Sequence, residues 1–491
     1  MDPARALPNS WTGRNILLTS DGSLCLRPGL KLLGSVPAFG TNGLGYIEGD
    51  SPRLITHVGT TIRAHTLDTF AWTIINNAAA APNPKWPERI IDRYAGRGYM
   101  FVPNGGKVYR IDLATNAAID LGQSGGVAGS VYGIRLVRSE STGRRVRYSA
   151  PDTAASWPAA NFFDVTLSSD IVFMSEQANH LTIVTDEGSW WVMTGVPGIN
   201  STLRRITGGR MSPAQVAPAA FVDVGDDLIH YLSPINNFPG SFNGVDHVEL
   251  PHLSLTPEDP LASYARGTRT AAYNAAVAFQ GADNASPAFA LRAGAAGTNG
   301  RMLLMHNGAW SMHDFGIPMS QLWTSDGRGR LFAFNDNAGA VGVDLYQTQL
   351  RLDRPAFVSD VTARPGDNTD TPLAANVSLP EVWTEDGTDL RVRRVIIDLT
   401  SWNTGSSVAN QVDVAVTALG VRGLDDPTGP PRSWTEPGSS ASTAGVRRRL
   451  VLDFGTMPPG GGYQVRLSNI KGVSIRAIRV VSDELPGRPR R

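Results

Sequence analysis

The sequence predicts an all-β chain, and three observations predict it. Glycine and proline are abundant, at 52 and 33 of 491 residues, and such punctuation cuts a chain into short segments that favour strands over long helices. Asn-Gly or Asp-Gly pairs recur at 21–22, 42–43, 104–105, 243–244, 299–300, 307–308, 326–327 and 386–387. Each supplies the positive φ that a tight hairpin turn needs. Between the turns stand short apolar or alternating runs, such as Phe101-Val102 and Val108-Tyr109-Arg110-Ile111.

The runs group into similar units. One contains Leu54 to Val58, Thr61 to His65 and Trp72 to Ile75; the next contains Arg97 to Val102, Lys107 to Ile111 and Ala118 to Leu121. Later units contain His180 to Val184 with Ser189 to Met193, and Arg330 to Phe334 with Val341 to Tyr346. Units of three or four strands over about 40–45 residues have the size of propeller blades. From residue 15 to about 347 there is room for roughly six or seven blades. A pair of β-sandwiches is the competing architecture. Helical signal is confined to Thr256-Pro257-Glu258-Asp259, an N-cap followed by proline and acids, which predicts a short helix through Tyr264.

A chain of 491 residues exceeds one core, so more than one domain is expected. The segment Ala363 to Pro372 is a linker by composition, and residues beyond it form longer, more widely spaced strands, including Val392 to Leu399, Gln411 to Leu419 and Val473 to Val481. The division expected is a β-propeller with an N-terminal strand region over 1–347, a linker over 348–375, a β-sandwich-like domain over 376–485 and a basic tail over 486–491.

Composition bounds the function. Forty-four basic residues balance 44 acidic ones, so no whole-molecule field draws the chain to nucleic acid or to an anionic membrane. Four of the basic residues are lysines (31, 85, 107 and 471), which leaves 40 arginines. The single cysteine, Cys25, excludes a disulfide within the chain and reads as a small core hydrophobe in Leu24-Cys25-Leu26. No apolar run approaches the roughly 18 residues of a transmembrane helix, and the N-terminus carries no signal pattern. The expectation is a chain folded in a cytoplasm and not inserted in a membrane.

One succession of residues goes further. Arg145-Val146-Arg147-Tyr148-Ser149-Ala150-Pro151 is followed by Ser156-Trp157-Pro158, Asn161 to Val165, Leu181 to Val184, and Ser189 to Gly195. It resembles the propeller of the tail nozzle or hub proteins of tailed bacteriophages, also called packaged-DNA-stabilisation proteins of short-tailed phages. The opening Asp21-Gly22-Ser23-Leu24 with Arg27-Pro28-Gly29 is similar to the start of such proteins. Gly209-Arg210-Met211-Ser212-Pro213, leading to Leu228 to Ser233, adds to the likeness, which spans about residues 15–345. The resemblance implies a virion protein without enzymatic activity or cofactor. It implies a homo-oligomeric ring, commonly a hexamer, below the portal and its adaptor and near tail fibres or spikes. Double-stranded DNA would be retained behind this ring and would pass through it on ejection.

Other chemistry is weaker. Gly122-Gln123-Ser124-Gly125-Gly126 fits the pattern of a hydrolase nucleophile turn, but that turn needs a helix after it and Val131 to Ile134 reads as a strand. Asp186-x-Gly188-x-x-Trp191 partly matches the turn motif of sialidase propellers, which is structural. The eight histidines show no metal-ligand spacing, and Asp367 and Asp370 complete no Ca²⁺ loop. Trp157, Trp190, Trp191, Trp310 and Trp323 read as blade packing. The candidate subunit-interface or channel residues are the basic clusters Arg144, Arg145 and Arg147; Arg391, Arg393 and Arg394; and Arg447, Arg448 and Arg449. A DNA conduit should not grip its cargo, because every phosphate neutralised adds salt-dependent affinity. The rival readings are a minor tail or baseplate protein that contacts the host, and a propeller enzyme acting on glycans.

Overall fold

The computed structural model describes residues 12–18, 23–26, 31–36, 41–47, 52–58, 61–67, 69, 71–75, 89–94, 97–102, 106–124, 126, 128–140, 144–165, 169–177, 179–206, 221–223, 229–232, 239–249, 276–280, 285–291, 301–306, 309–314, 319–325, 330–335, 343–349, 375–379, 381–384, 388–403, 410–421, 428–436 and 443–485. All secondary structure among them is strand, bridge or turn.

Seven antiparallel four-stranded units form blades of a β-propeller. The first six lie within 41–75, 89–124, 129–164, 171–206, 221–249 and 276–314. Blade 7 takes Met319–Ser325, Arg330–Asn335 and Val343–Gln349 from one end of the propeller and Lys31–Val36 from the other. The first strands of successive blades touch from 1 to 4 and from 5 to 7, and that of blade 7 touches that of blade 1. Blades 4 and 5 meet through the stacked rings of Phe173 and Phe221, 4.7 Å apart. The ring is therefore closed.

Each blade in the first half of the ring is buried on both faces, which explains why its strands read as continuous apolar runs and not as alternating ones. Ile55, Ile62 and Ile75 of blade 1 share a core with Met100, Tyr109 and Ile111 of blade 2. The other face of blade 2, through Tyr99, Phe101 and Val108, packs on Leu136 of blade 3. Gly129 lies so close to Phe101 that a Cβ there would come within 2.5 Å of its ring. Val137, Val146 and Tyr148 then meet Ile171, Leu181 and Ile183 of blade 4. The residues that carry the nozzle resemblance form this junction. Tyr132 donates to the Gly195 carbonyl at 2.7 Å, and the Tyr148 hydroxyl would lie 2.4 Å from any Cβ at Gly198, whose φ is +80°.

The remaining strands build a β-sandwich. One sheet contains Ala375–Ser378, Gly462–Lys471, Asn410–Leu419 and Arg432–Glu436, with Val382–Trp383 beside Gly462–Lys471; the other contains Val473–Leu485, Asp389–Asn403 and Thr443–Asp453. Val395, Ile397, Leu399, Val412, Val414, Val416, Val465 and Ile475 fill the space between.

The N-terminal strands depart from the expected division. Thr12–Arg14 pairs with Ala375–Ser378, and Leu24 of Leu24–Leu26 pairs with Ile475, so these strands join the sandwich sheets and none of them is one of a blade's own four strands. Asn15 adopts φ 57°, a left-handed conformation that asparagine tolerates, between strands that join opposite sheets. On its other edge Thr12–Arg14 runs parallel to Ala309–Asp314 of blade 6, with Arg14 opposite Met312. One ten-stranded sheet thus passes from the propeller into the sandwich.

Two turn expectations resolve differently. Asn243-Gly244 does make a hairpin turn, with Gly244 at φ +86°, whereas Asn42-Gly43 sits inside Thr41–Ile47 at a break in register. A glycine in a strand interior often marks such a bulge. The short helix expected over 256–264, the basic tail, and Asp367 and Asp370 of the linker lie outside the described residues.

Trp190 is buried to 1% exposure among Phe173, Phe221, Tyr231 and Phe242. Trp190→Ala is expected to cost roughly 3–5 kcal/mol in denaturant unfolding; a loss below about 1 kcal/mol would show that this junction does not hold the ring.

Burial holds the imidazole of His65 down at about 4, with the Arg63 cation adding to the effect, and burial holds His247 at about 4. In an unfolded chain a histidine titrates near about 6.5. Both folded values are depressed, so the stabilisation is complete above that pH and drains away as pH falls towards the folded values. The slope is up to about 1.4 kcal/mol per pH unit for each histidine. Unfolding followed between about pH 7.5 and about pH 4.5 should show the decline, and the double variant H65Q/H247N should flatten it.

Candidate assembly surfaces

The nine arginines singled out by sequence fall on two surfaces. Arg144, Arg145 and Arg147 lie at and just before the third strand of blade 3, beside its edge strand. Strand Arg145–Tyr148 pairs with Phe162–Asp164 so that Arg145 faces Asp164 and Arg147 faces Phe162. Arg145 grips Asp164 with both arms of its fork, at 2.6 and 3.1 Å, and its guanidinium lies 3.8 Å above the Phe162 ring. Hydrogen bonding from Arg145 holds the Asp164 carboxyl below the usual range. Arg147 pairs with Glu140 and donates to the Ala159 carbonyl at 3.3 Å. Arg144 is exposed.

The other two clusters come together on one sheet of the sandwich. Asp389–Asn403 runs antiparallel to Thr443–Asp453, with Arg394 opposite Asp453, Asp398 opposite Arg449 and Thr400 opposite Arg447. Val395, Ile397 and Leu399 point into the core, so Arg394, Ile396 and Asp398 face out, as do their cross-strand partners Asp453, Val451 and Arg449. Val473–Leu485 adds Arg479 opposite Ile396 and Val481 opposite Arg394. The outer face is therefore an arginine lattice around exposed Val451 and Val481, 55% and 43% accessible. Arg449 grips Asp398 at 2.6 and 3.2 Å, and Arg479 approaches the same carboxylate at 3.6 Å. The Arg449 hydrogen bond holds Asp398 below its ordinary value.

Other members turn aside. Arg393 pairs with Asp483, and Arg448 reaches Glu436 in the opposite sheet at 2.5 Å. Arg391 is half-buried, and among the described residues its Nε has no partner. Sequence reasoning missed Arg479, Ile396, Val451 and Val481, which join this face only through long-range pairing.

The enzyme-like motifs resolve as architecture. Gly122 lies inside Ala117–Ser124 at φ +69°, and the next described element is again a strand, Gly129–Tyr132. Asp186 accepts from the Asp170 amide at 3.0 Å and donates its own amide to the Asp170 carbonyl at 2.8 Å, which extends the pairing of Ile171 with Thr185 between two strands of blade 4. Among the described residues no group of three His, Cys, Asp or Glu gathers to hold a metal.

Structural likeness is distant. No family model and no curated protein matches this sequence. The chain is similar to a chain of the crystal structure of the Mitotic Checkpoint Complex, at 8% identity and TM-score 0.42 over 67% of this chain and 95% of that one. It is also similar to BamB from Moraxella catarrhalis, at 11% identity and TM-score 0.36 over 68% of this chain and 96% of that one.

Exposed ion pairs contribute little to stability, so the lattice should matter more to surface charge than to folding. Asp398→Asn is expected to move the thermal midpoint by the equivalent of less than about 1 kcal/mol, and the difference should vanish near about 1 M salt, where screening is strong. A larger, salt-insensitive loss would mean that Asp398 is a core group.

Proposed function

We propose that this chain is a structural subunit of a bacteriophage tail, one sector of a nozzle or hub ring through which the genome is retained and then ejected. The single observation that carries the reading is the ten-stranded sheet running from blade 6 into the sandwich. It joins the two β units through backbone pairing, with Arg14 opposite Met312 on the propeller side and Thr12–Arg14 opposite Ser378, Val377 and Asn376 on the sandwich side, so load on one is carried to the other through main chain. That is the property a ring sector under packaged-DNA pressure requires. The resemblance in residues 145–195 supports the same assignment.

The charge pattern is compatible with it. A closed cyclic ring repeats one heterologous contact, in which one surface of each subunit meets a different surface of the next. The arginine lattice on the outer sandwich face and the arginine cluster of blade 3 are the candidate contact surfaces. On blade 3 Arg145 and Arg147 pair with Asp164 and Glu140, and on the sandwich Arg449 and Arg479 share Asp398; cations answered in this way suit an interface or a non-adhesive conduit better than a DNA grip. Portal, adaptor and fibre proteins are the partners this reading names, and a hexamer is its stoichiometry.

Electron microscopy of the purified protein or of the virion tests it. The expected image is a ring on the tail axis; a peripheral position would remove the nozzle assignment.

A further inference from the structure

From the far end of the sandwich we infer a carbohydrate-binding site built on Trp383. This inference does not rest on the tail assignment. Trp383 is 53% exposed although it stands in a paired strand, opposite Gly462. Its underside rests on glycines. A Cβ on Gly462 would lie 3.0 Å from Trp383 Cδ2, one on Gly420 would lie 3.2 Å from Cζ3, and one on Gly461 would lie 3.7 Å from Cζ3. Side chains at Gly462 or Gly420 would crowd the ring, whereas one at Gly461 would make ordinary contact with it. The indole Nε1 donates to Glu381 Oε2 at 3.0 Å, which fixes the ring's rotation. A flat aromatic surface is thus held with one face supported and the other open.

The ring borders an open cleft of about 490 Å³, in which the aliphatic Val382 and Leu390 join Tyr463 and the polar Thr384, Thr388, Ser482 and Glu484. That volume lies within the range of ligand sites, about 300–1,000 Å³. Thr384 ties the wall down: its hydroxyl donates to the Thr388 carbonyl at 2.7 Å and its amide to the Gly461 carbonyl at 3.1 Å. Ser482 and Glu484 sit two apart on Val473–Leu485, opposite Val392 and Leu390, so they present a hydroxyl and a carboxylate to the same side.

This combination selects a class of ligand. The electron-rich face of an indole attracts polarised C–H groups, as on the apolar side of a pyranose ring. A carboxylate and hydroxyls at the rim suit the sugar's own hydroxyls, and the hydrogen bonds to Glu484 are charge-assisted. Among the described residues no cation lines the cleft, and Glu381 and Glu484 flank it, so anionic glycans and nucleic acid are disfavoured. A proline-rich peptide would want a groove of exposed aromatic rings, but Tyr463 is buried to 9% exposure. The ligand class is a neutral oligosaccharide.

Titration calorimetry of the full chain with trisaccharides of glucose, galactose, mannose and N-acetylglucosamine tests this, with decaproline and a sialylated trisaccharide as rivals. At least one neutral trisaccharide should bind, with affinity reduced tenfold or more in Trp383→Ala and also reduced in Glu484→Gln, while Trp383→Tyr retains part of it. Trp383 lies outside the core, so an unchanged thermal midpoint in W383A is the folding control, and E484Q serves alone if W383A misfolds. The inference is overturned if no neutral trisaccharide binds, if binding survives both substitutions, or if decaproline or the sialylated sugar binds instead.

Discussion

The architecture depends on the backbone pairing of the first strands, Thr12–Arg14, Ile16–Leu18, Leu24–Leu26 and Lys31–Val36. Among them Thr12–Arg14 bridges blade 6 and one sandwich sheet, Leu24–Leu26 adds to the other sheet, and Lys31–Val36 supplies the fourth strand of blade 7. A propeller whose last blade took all its strands from one end would be closed only by side-chain packing between its first and last blades. Here the closing blade is held by a ladder of main-chain hydrogen bonds between segments more than 300 residues apart. Loop-closure entropy grows slowly with length, so such a distant pairing is costly to find but not much costlier to keep than a nearer one. The same strands remove exposed sheet edges, since Ala309–Asp314 and Ala375–Ser378 would otherwise present free edges.

A second constraint is how arginine is housed. Arg145 and Arg449 on the surfaces stand in cross-strand register with carboxylates, opposite Asp164 and Asp398. Within blade 3 the solution differs. Arg138, 3% exposed, donates to the Ser139 carbonyl and to Gln123 of blade 2 and lies 5.5 Å from the Trp157 ring. Burial, with the nearby Arg147 cation, draws its pKa down to about 10, which still leaves it charged at neutral pH. A delocalised guanidinium sheds water more readily than an ammonium and can stack on a ring, which suits it to this position.

The blades were legible because their signals are local. Runs such as Leu181-Thr182-Ile183-Val184 are apolar on both faces, and Asn243-Gly244 marks its own turn. The partners of the first strands were not legible. Leu24-Cys25-Leu26 carries the same three-residue signature whether it serves a propeller or a sandwich, and Ile475 settles the matter from 451 positions away. The arginine clusters were visible as composition, but the outer sandwich face needed the register of Asp389–Asn403 against both neighbours. Asn42-Gly43 misled because the dipeptide reports positive φ and cannot distinguish a turn from a bulge. Trp383 had a usable signal that went unread: a lone tryptophan between Glu381 and Glu385 belongs to no apolar run, and a core position would not place it there.

Calorimetric unfolding of the full chain bears most directly on these first strands as the common element of both domains. Shared strands predict a single transition, with calorimetric and van't Hoff enthalpies in agreement. Two separated transitions, each with the enthalpy expected of one domain, would contradict it.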